Sequence, residues 1–188
     1  MKTFKQPLPE MKKRPKQCAP AISARDAADI IVNDFKLFPL IVKKNARHGF
    51  HSRIHAVVVM LSPSRTCLSN DRTIGTKRFK GFKSASVFMA ENCGNPLPKS
   101  EVVLDHSVPI KCIYRELEDL YDSGRLTVHR VAKLLRKMVV CALITKEEDR
   151  RLSEEGLKSE MPEGWPDDTF ARYSHCGIRI VRANGTRR

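Results

Sequence analysis

The sequence lacks the features that mark secreted and membrane proteins. Its six cysteines are spread from Cys18 to Cys176 without any Cys-x-x-Cys pair, so a disulfide framework is not expected. No apolar run approaches the roughly 20 residues that a membrane span requires. The basic N-terminus also lacks the continuous apolar segment of a signal peptide. We therefore expect reduced thiols, a cytoplasmic location and no membrane partner.

Acidic and aromatic residues are also scarce. Asp and Glu number 21 against 35 Lys and Arg, which gives a formal charge of +14. Such a composition favours binding to a polyanion, because each phosphate that Lys or Arg neutralises releases a condensed counterion. Only 6% of residues are aromatic, which suits a duplex backbone better than rows of stacked single-stranded bases. The composition therefore predicts nucleic acid, and preferably a duplex, as the partner.

At 188 residues the chain suffices for one domain with an extension. Residues 1–20 mix Lys and Arg with proline and predict a flexible basic arm. Residues 21–98 predict a basic α/β region that binds nucleic acid, and residues 99–188 carry the pattern of a catalytic domain. Within the basic region a helix is expected from Ser23 to Leu37, with Ser23 as the N-cap.

Residues 40–92 predict strands and loops, with β-rich segments at 40–42 and 54–61. His48, His51 and His55 have the spacing of metal ligands on a helix. Gly49 and the β-branched run after His55 argue against a helix, so these histidines are expected at the surface or in contact with phosphate. A basic cluster follows, either as a solvated loop or as a surface that grips phosphates; it contains Lys77, Arg78, Lys80 and Lys83.

The most informative pattern is an apolar strand that runs from Val102 into Asp105 and His106 and is stopped by Pro109. An Asp-His pair places a hard oxygen ligand beside a proton acceptor that works near neutral pH, which suits metal-assisted hydrolysis. Helical spacing of apolar residues then predicts one helix from about residue 110 to the Ser123-Gly124 end. A second helix is expected from Thr127 to about Met138.

A second apolar strand, residues 139–144, ends at Thr145. Thr145 and Glu148 form a Thr-x-x-Glu capping box that predicts a helix to about Glu155. Asp149 lies in the first turn of this helix. Its carboxylate is either a metal ligand or only an acidic group stabilised by the helix dipole.

Residues 100–180 resemble the HNH group of ββα-metal nucleases. The resemblance rests on Asp-His followed by Val-Pro, on the helix that opens Thr-Lys-Glu-Glu-Asp-Arg-Arg-Leu, and on Met161–Trp165 and Phe170–Tyr173, which are similar to the end of some bacterial and phage HNH proteins. It implies an α+β fold with a ββα-metal finger embedded in a mixed helical and strand domain. The zinc-stapled HNH subtype is excluded, because paired Cys-x-x-Cys motifs are absent.

The resemblance also implies the roles of the site residues. Asp105 would bind the metal and His106 would be the general base that activates water. Asp149 matches the ligand position on the following helix, and Ser153 stands where some members have a further ligand. Serine is a poor ligand, so the ion would depend on two carboxylates, phosphate oxygens and water, which favours Mg²⁺ or Mn²⁺.

Three functions remain open at this point. The first is a metal-dependent DNA endonuclease, for which a symmetric target would favour a homodimer. The second is a non-catalytic nucleic-acid-binding protein that retains an HNH-like finger, which the serine at position 153 motivates. The third is a small basic interaction protein in which Asp105 and His106 are structural.

Overall fold

The structure is a computed structural model that describes residues 22–37, 44–63 and 68–183, so the predicted basic arm and the segment 40–42 lie outside the described residues. The described residues form an α+β fold with seven α-helices and one four-stranded sheet. The helices are α1 (Ala24–Leu37), α2 (Lys44–Leu61), α3 (Ala85–Asn92), α4 (Ile110–Asp122), α5 (Val128–Met138), α6 (Lys146–Glu154) and α7 (Ala171–His175). The strands are β1 (Phe82–Ser84), β2 (Val102–His106), β3 (Cys141–Thr145) and β4 (Ile180–Arg182).

The sheet has the strand order β2-β3-β1-β4. β2 and β3 are antiparallel, β1 runs parallel to β3, and β4 is antiparallel to β1. β1 therefore lies inside a sheet whose other three strands come from residues 99–188. The expected division between residues 98 and 99 thus runs through one sheet and does not separate two structural units.

Four helices enclose the larger apolar core. Buried side chains of α1, α2, α4 and α5 form one cluster that includes Ile31, Phe35, Ile54, Ile113 and Leu135. Burying side chains of this size stabilises the fold by about 1.5–3 kcal/mol each. The structure confirms the predicted helices α1, α4 and α5. Each carries an apolar stripe at helical spacing that faces this core.

The strand expected at residues 54–61 is wrong, because this segment belongs to α2. Ile54, Val57 and Val58 are buried in the helical core, and their i, i+3, i+4 spacing places them on one helix face. Packing on that face outweighs the weak preference of valine and isoleucine for strands. The expectation that His48, His51 and His55 do not lie on a helix is wrong for the same reason, because all three lie within α2. The side chains of His51 and His55 are exposed, as expected.

The two faces of the sheet bury different side chains. On one face Ala142 and Ile144 of β3 pack with Leu152 of α6 and Tyr173 of α7. On the other face Leu143 packs with Val102, Phe79 and Val87. This alternation follows from the two-residue period of a strand.

The capping box of α6 is confirmed. The Thr145 hydroxyl accepts a hydrogen bond from the Glu148 amide at 3.1 Å, and the Glu148 carboxylate accepts one from the Thr145 amide at 2.8 Å. The box fixes the point at which β3 turns into α6. Separately, none of the described helices combines the length and the apolar character that crossing a membrane requires.

Thr145→Ala should lower the free energy of unfolding by about 1 kcal/mol, because it leaves the Glu148 amide without its cap. For a chain of this size we expect the melting temperature to fall by about 2–4 °C, measured by circular dichroism. Thr145→Ser is the matched control because it keeps the hydroxyl. An equal loss in both variants would contradict the role of the cap.

Candidate functional site

Asp105 and His106 lie at the end of β2 and point to opposite faces of the sheet. Asp105 pairs with Ala142, and His106 pairs with Cys141. Directly opposed residues in an antiparallel pair share a face, so Asp105 lies on the α6 and α7 side. His106 lies on the side of Leu143 and meets the end of α2. The two side chains are therefore adjacent in sequence but have separate surroundings.

The Asp105 carboxylate is held by two residues of α7. Its Oδ2 atom accepts a hydrogen bond from the Tyr173 hydroxyl at 2.7 Å and a charged hydrogen bond from the Arg172 guanidinium. Burial raises the pKa of Tyr173 well above its usual value of 10.0, so the phenol keeps its proton and donates. No described group donates to the other carboxylate oxygen, Oδ1, and the Asp105 side chain is 19% exposed.

Arg172 ties the end of β2 to the segment after α6. It is 1% exposed, and its guanidinium donates to the carbonyl oxygens of His106, Ser107, Leu157 and Lys158 as well as to Asp105. Burial lowers the pKa of Arg172, but the charges and hydrogen bonds of Asp105 and Tyr173 together outweigh this effect and raise the pKa overall. Arg172 is therefore charged and fully engaged by protein groups.

His106 is held in its neutral form. Burial lowers its pKa below the usual 6.5, and the nearby His55 and Arg172 act in the same direction against the opposing effect of Asp105. Its Nε2 atom lies 2.7 Å from the Ser62 hydroxyl oxygen, which also donates to the Val58 carbonyl at 3.0 Å. If the hydroxyl proton is used on Val58, then Nε2 carries the ring proton and Nδ1 is the basic nitrogen.

The other two predicted ligands are engaged elsewhere. The Asp149 carboxylate lies 3.3 Å from the Lys158 ammonium, and the Ser153 hydroxyl donates to the Asp149 carbonyl at 2.9 Å. Across the described part of the chain, no three His, Cys, Asp or Glu side chains are grouped closely enough to hold an ion. Asp149 is thus bonded to Lys158 and Ser153, and no hydrogen bond among the described residues links Asp149 or Ser153 to Asp105.

The predicted basic cluster is divided by burial. Lys77, Arg78 and Lys80 are exposed, whereas the Lys83 side chain is only 2% exposed and bonds to both oxygens of Glu91 at 2.7 Å. Burial lowers the pKa of Lys83 and Glu91 opposes the shift. Lys83 is not available to a phosphate because it faces inward from β1, so only the other three residues of the cluster are placed where the expected phosphate contacts could form.

Ser62, Arg172 and Tyr173 are contacts that residue patterns did not assign. Ser62 lies 44 positions before His106, in a region where strands were expected, so no local signal could have paired them. Arg172 and Tyr173 stood out only as part of a similarity to the ends of HNH proteins. Their contact with Asp105 spans 67 and 68 positions.

No protein-family model, curated protein or solved structure matches this chain. The function is therefore inferred from the side chains of this site.

Proposed function

We propose that this chain is a DNA endonuclease of the HNH type, in which His106 accepts a proton from the attacking water. The observation that carries the proposal is the position of a neutral His106 at the end of β2. β2 pairs antiparallel with β3, and α6 follows β3 directly and contacts both strands. The helices α4 and α5 separate β2 from β3 along the chain, so the likeness to a ββα finger lies in the pairing of the two strands and in the helix that follows β3.

The described residues give His106 the properties of a general base. Because its pKa is below 6.5, the ring is mostly neutral at pH 7 and can accept a proton. The hydrogen bond to Ser62 fixes the ring orientation. A fixed ring with one unprotonated nitrogen is the minimum that proton removal from water requires.

Of the three expected ligands, Asp105 has the surroundings that suit a divalent ion. Asp105 presents Oδ1 while Arg172 and Tyr173 hold Oδ2, and ligating carboxylates are commonly hydrogen-bonded through their other oxygen. Asp149 is paired with Lys158, and Ser153 bonds to the Asp149 carbonyl. Mg²⁺ is often bound by one or two carboxylates together with phosphate and water, so Asp105 would hold it together with phosphate oxygens of the substrate and water. When bound, the ion would polarise the scissile phosphate and stabilise charge on the leaving oxygen.

A second function is favoured by the contacts of Asp105. The buried Arg172 already neutralises its carboxylate, which opposes a further cation, and His106 points to the opposite face of the sheet. In this alternative the chain binds DNA without cleaving it, and both residues are structural. The excess of basic residues serves either function equally well.

Supercoiled plasmid distinguishes the two functions. The purified protein should nick or linearise plasmid with Mg²⁺ or Mn²⁺ and should be inactive with a chelator. Discrete fragments would further indicate a sequence-specific enzyme. Retardation of the plasmid without cleavage under every metal condition would refute the nuclease and support the binding protein.

A further inference from the structure

A second surface feature lies at the far edge of the sheet from Asp105. β1 and β4 border a cleft of about 550 Å³ that is lined by Lys80, Gly81, Phe82, Arg182 and Ala183. Its lining contains two cations and an aromatic ring, and none of these described residues is acidic. Arg182 was not part of the basic cluster seen in the sequence, because 99 positions separate it from Lys83 and only strand pairing brings it close.

The register of the sheet places the Arg182 guanidinium over the ring of Phe82, where it is oriented for an anionic ligand. Arg182 pairs directly with Phe82 across the two strands, and its guanidinium lies 5.4 Å from the centre of the Phe82 ring. Phe170 packs against the same ring at 5.0 Å. A guanidinium resting on a fixed ring loses less conformational freedom when it binds phosphate. The exposed Arg182 is thus held beside the cleft.

The floor of the cleft is fixed by the core. A Cβ atom on Gly81 would lie only 2.7 Å from the ring of Phe79, and Phe79 is 1% exposed. The Gly81 backbone is therefore in close contact with a buried ring, and a side chain at this position would clash with that ring. This contact positions the backbone between Lys80 and Phe82.

The charge of the cleft is not cancelled by neighbouring acids. Glu91 has both oxygens on the buried Lys83, so it is not available to Lys80. No ion pair joins Lys80 or Arg182 to any of the described acidic side chains. Lys77 and Arg78 are exposed in the turn before Phe79 and extend the positive run of sequence that leads to the cleft.

We propose that the cleft between β1 and β4 binds the phosphate backbone of duplex DNA, with Lys80 and Arg182 as the contacting cations. The inference rests on the DNA-binding part of the proposed function. It adds the surface on which the duplex would lie and a cation from β4. A duplex is favoured over a single strand because the cleft offers one partly buried ring and not a row of stacking platforms.

Anisotropy titrations of a short fluorescein-labelled duplex, with chelator present and NaCl varied from about 50 to 200 mM, test this proposal. Lys80→Ala and Arg182→Ala should each weaken binding at least about threefold and reduce the salt slope by about 1. Lys133→Ala, an exposed cation on α5, is the matched control and should bind like wild type.

Unchanged salt slopes for Lys80→Ala and Arg182→Ala would refute the cleft, as would an equal loss in Lys133→Ala. Tighter binding of the labelled single strand would refute the duplex as its ligand. The chelator restricts the titration to binding, so the two proposals fail separately. If wild type cleaves plasmid but the salt slopes of Lys80→Ala and Arg182→Ala are unchanged, only the proposal for the cleft is refuted. If both salt slopes fall but wild type does not cleave, only the nuclease proposal is refuted.

Discussion

His106→Ala should lose plasmid cleavage by about 10²–10⁴-fold, the usual contribution of a general base. Under the proposed function, the variant removes the ring that would accept the proton from water, and it leaves the basic cleft between β1 and β4 intact. DNA affinity measured by anisotropy should therefore stay within about twofold of wild type. Single-turnover cleavage of a supercoiled plasmid measures the effect, and His129→Ala, an exposed histidine on α5, is the matched control.

The pH dependence gives this prediction an independent readout. Burial lowers the pKa of His106 below 6.5, so the wild-type rate should fall only when the pH drops below about 6.5. His106→Gln keeps a group that can bond to Ser62 and should be folded but inactive. Ser62→Ala should retain part of the activity, because the base remains but its orientation is lost. Full activity in His106→Gln would refute the role of His106.

Arg172→Met should lower the free energy of unfolding by about 3–5 kcal/mol, as expected when one partner of a buried ion pair is removed. The substitution leaves the Asp105 charge unpaired and removes the donors to four carbonyl oxygens. Urea unfolding followed by circular dichroism measures the loss. Arg150→Ala is the control: this exposed arginine pairs with Glu147 and Glu154 on the surface, where ion pairs contribute about 0–1 kcal/mol.

A double variant separates the charge from the packing. Replacing Asp105 and Arg172 together by Leu and Met removes both charges, so part of the lost stability should return relative to Arg172→Met alone. Arg172→Met with stability within about 1 kcal/mol of wild type would contradict the structural role of Arg172. That result would also remove the main argument for the non-catalytic function.

The helical parts of the fold were predictable because their signals are local. Thr145 and Glu148 define the start of α6 within four residues, and Gly124 follows the end of α4 with a positive φ of 65°. The β-branched run in α2 led to the wrong prediction of a strand at residues 54–61. Its burial depends on packing against α1 and α4, which are separate segments of the chain. Propensity acts within a few residues, whereas packing decides between helix and strand over the whole core.

The candidate site was predictable in part for the same reason. Asp105 and His106 follow from a strand that ends in two polar residues, and both lie at the end of β2 as expected. Their partners did not follow, because Ser62 and Arg172 reach them across long stretches of chain. Lys83 is the clearest example of a site residue whose surroundings the sequence did not predict. A charge run in sequence does not reveal which member faces inward, and here Glu91 on α3 receives the lysine of β1.

The position of β1 has a consequence for how the chain acquires its structure during synthesis. β1 contains residues 82–84 but lies between β3 and β4, which begin at Cys141 and Ile180. A nascent chain that has left the ribosome as far as α3 therefore carries a strand with neither neighbour in place. Such unpaired edges invite association with other chains. The sheet closes only when β4 emerges, so the interval between the first and last strands is the period in which this protein is most exposed to misassembly.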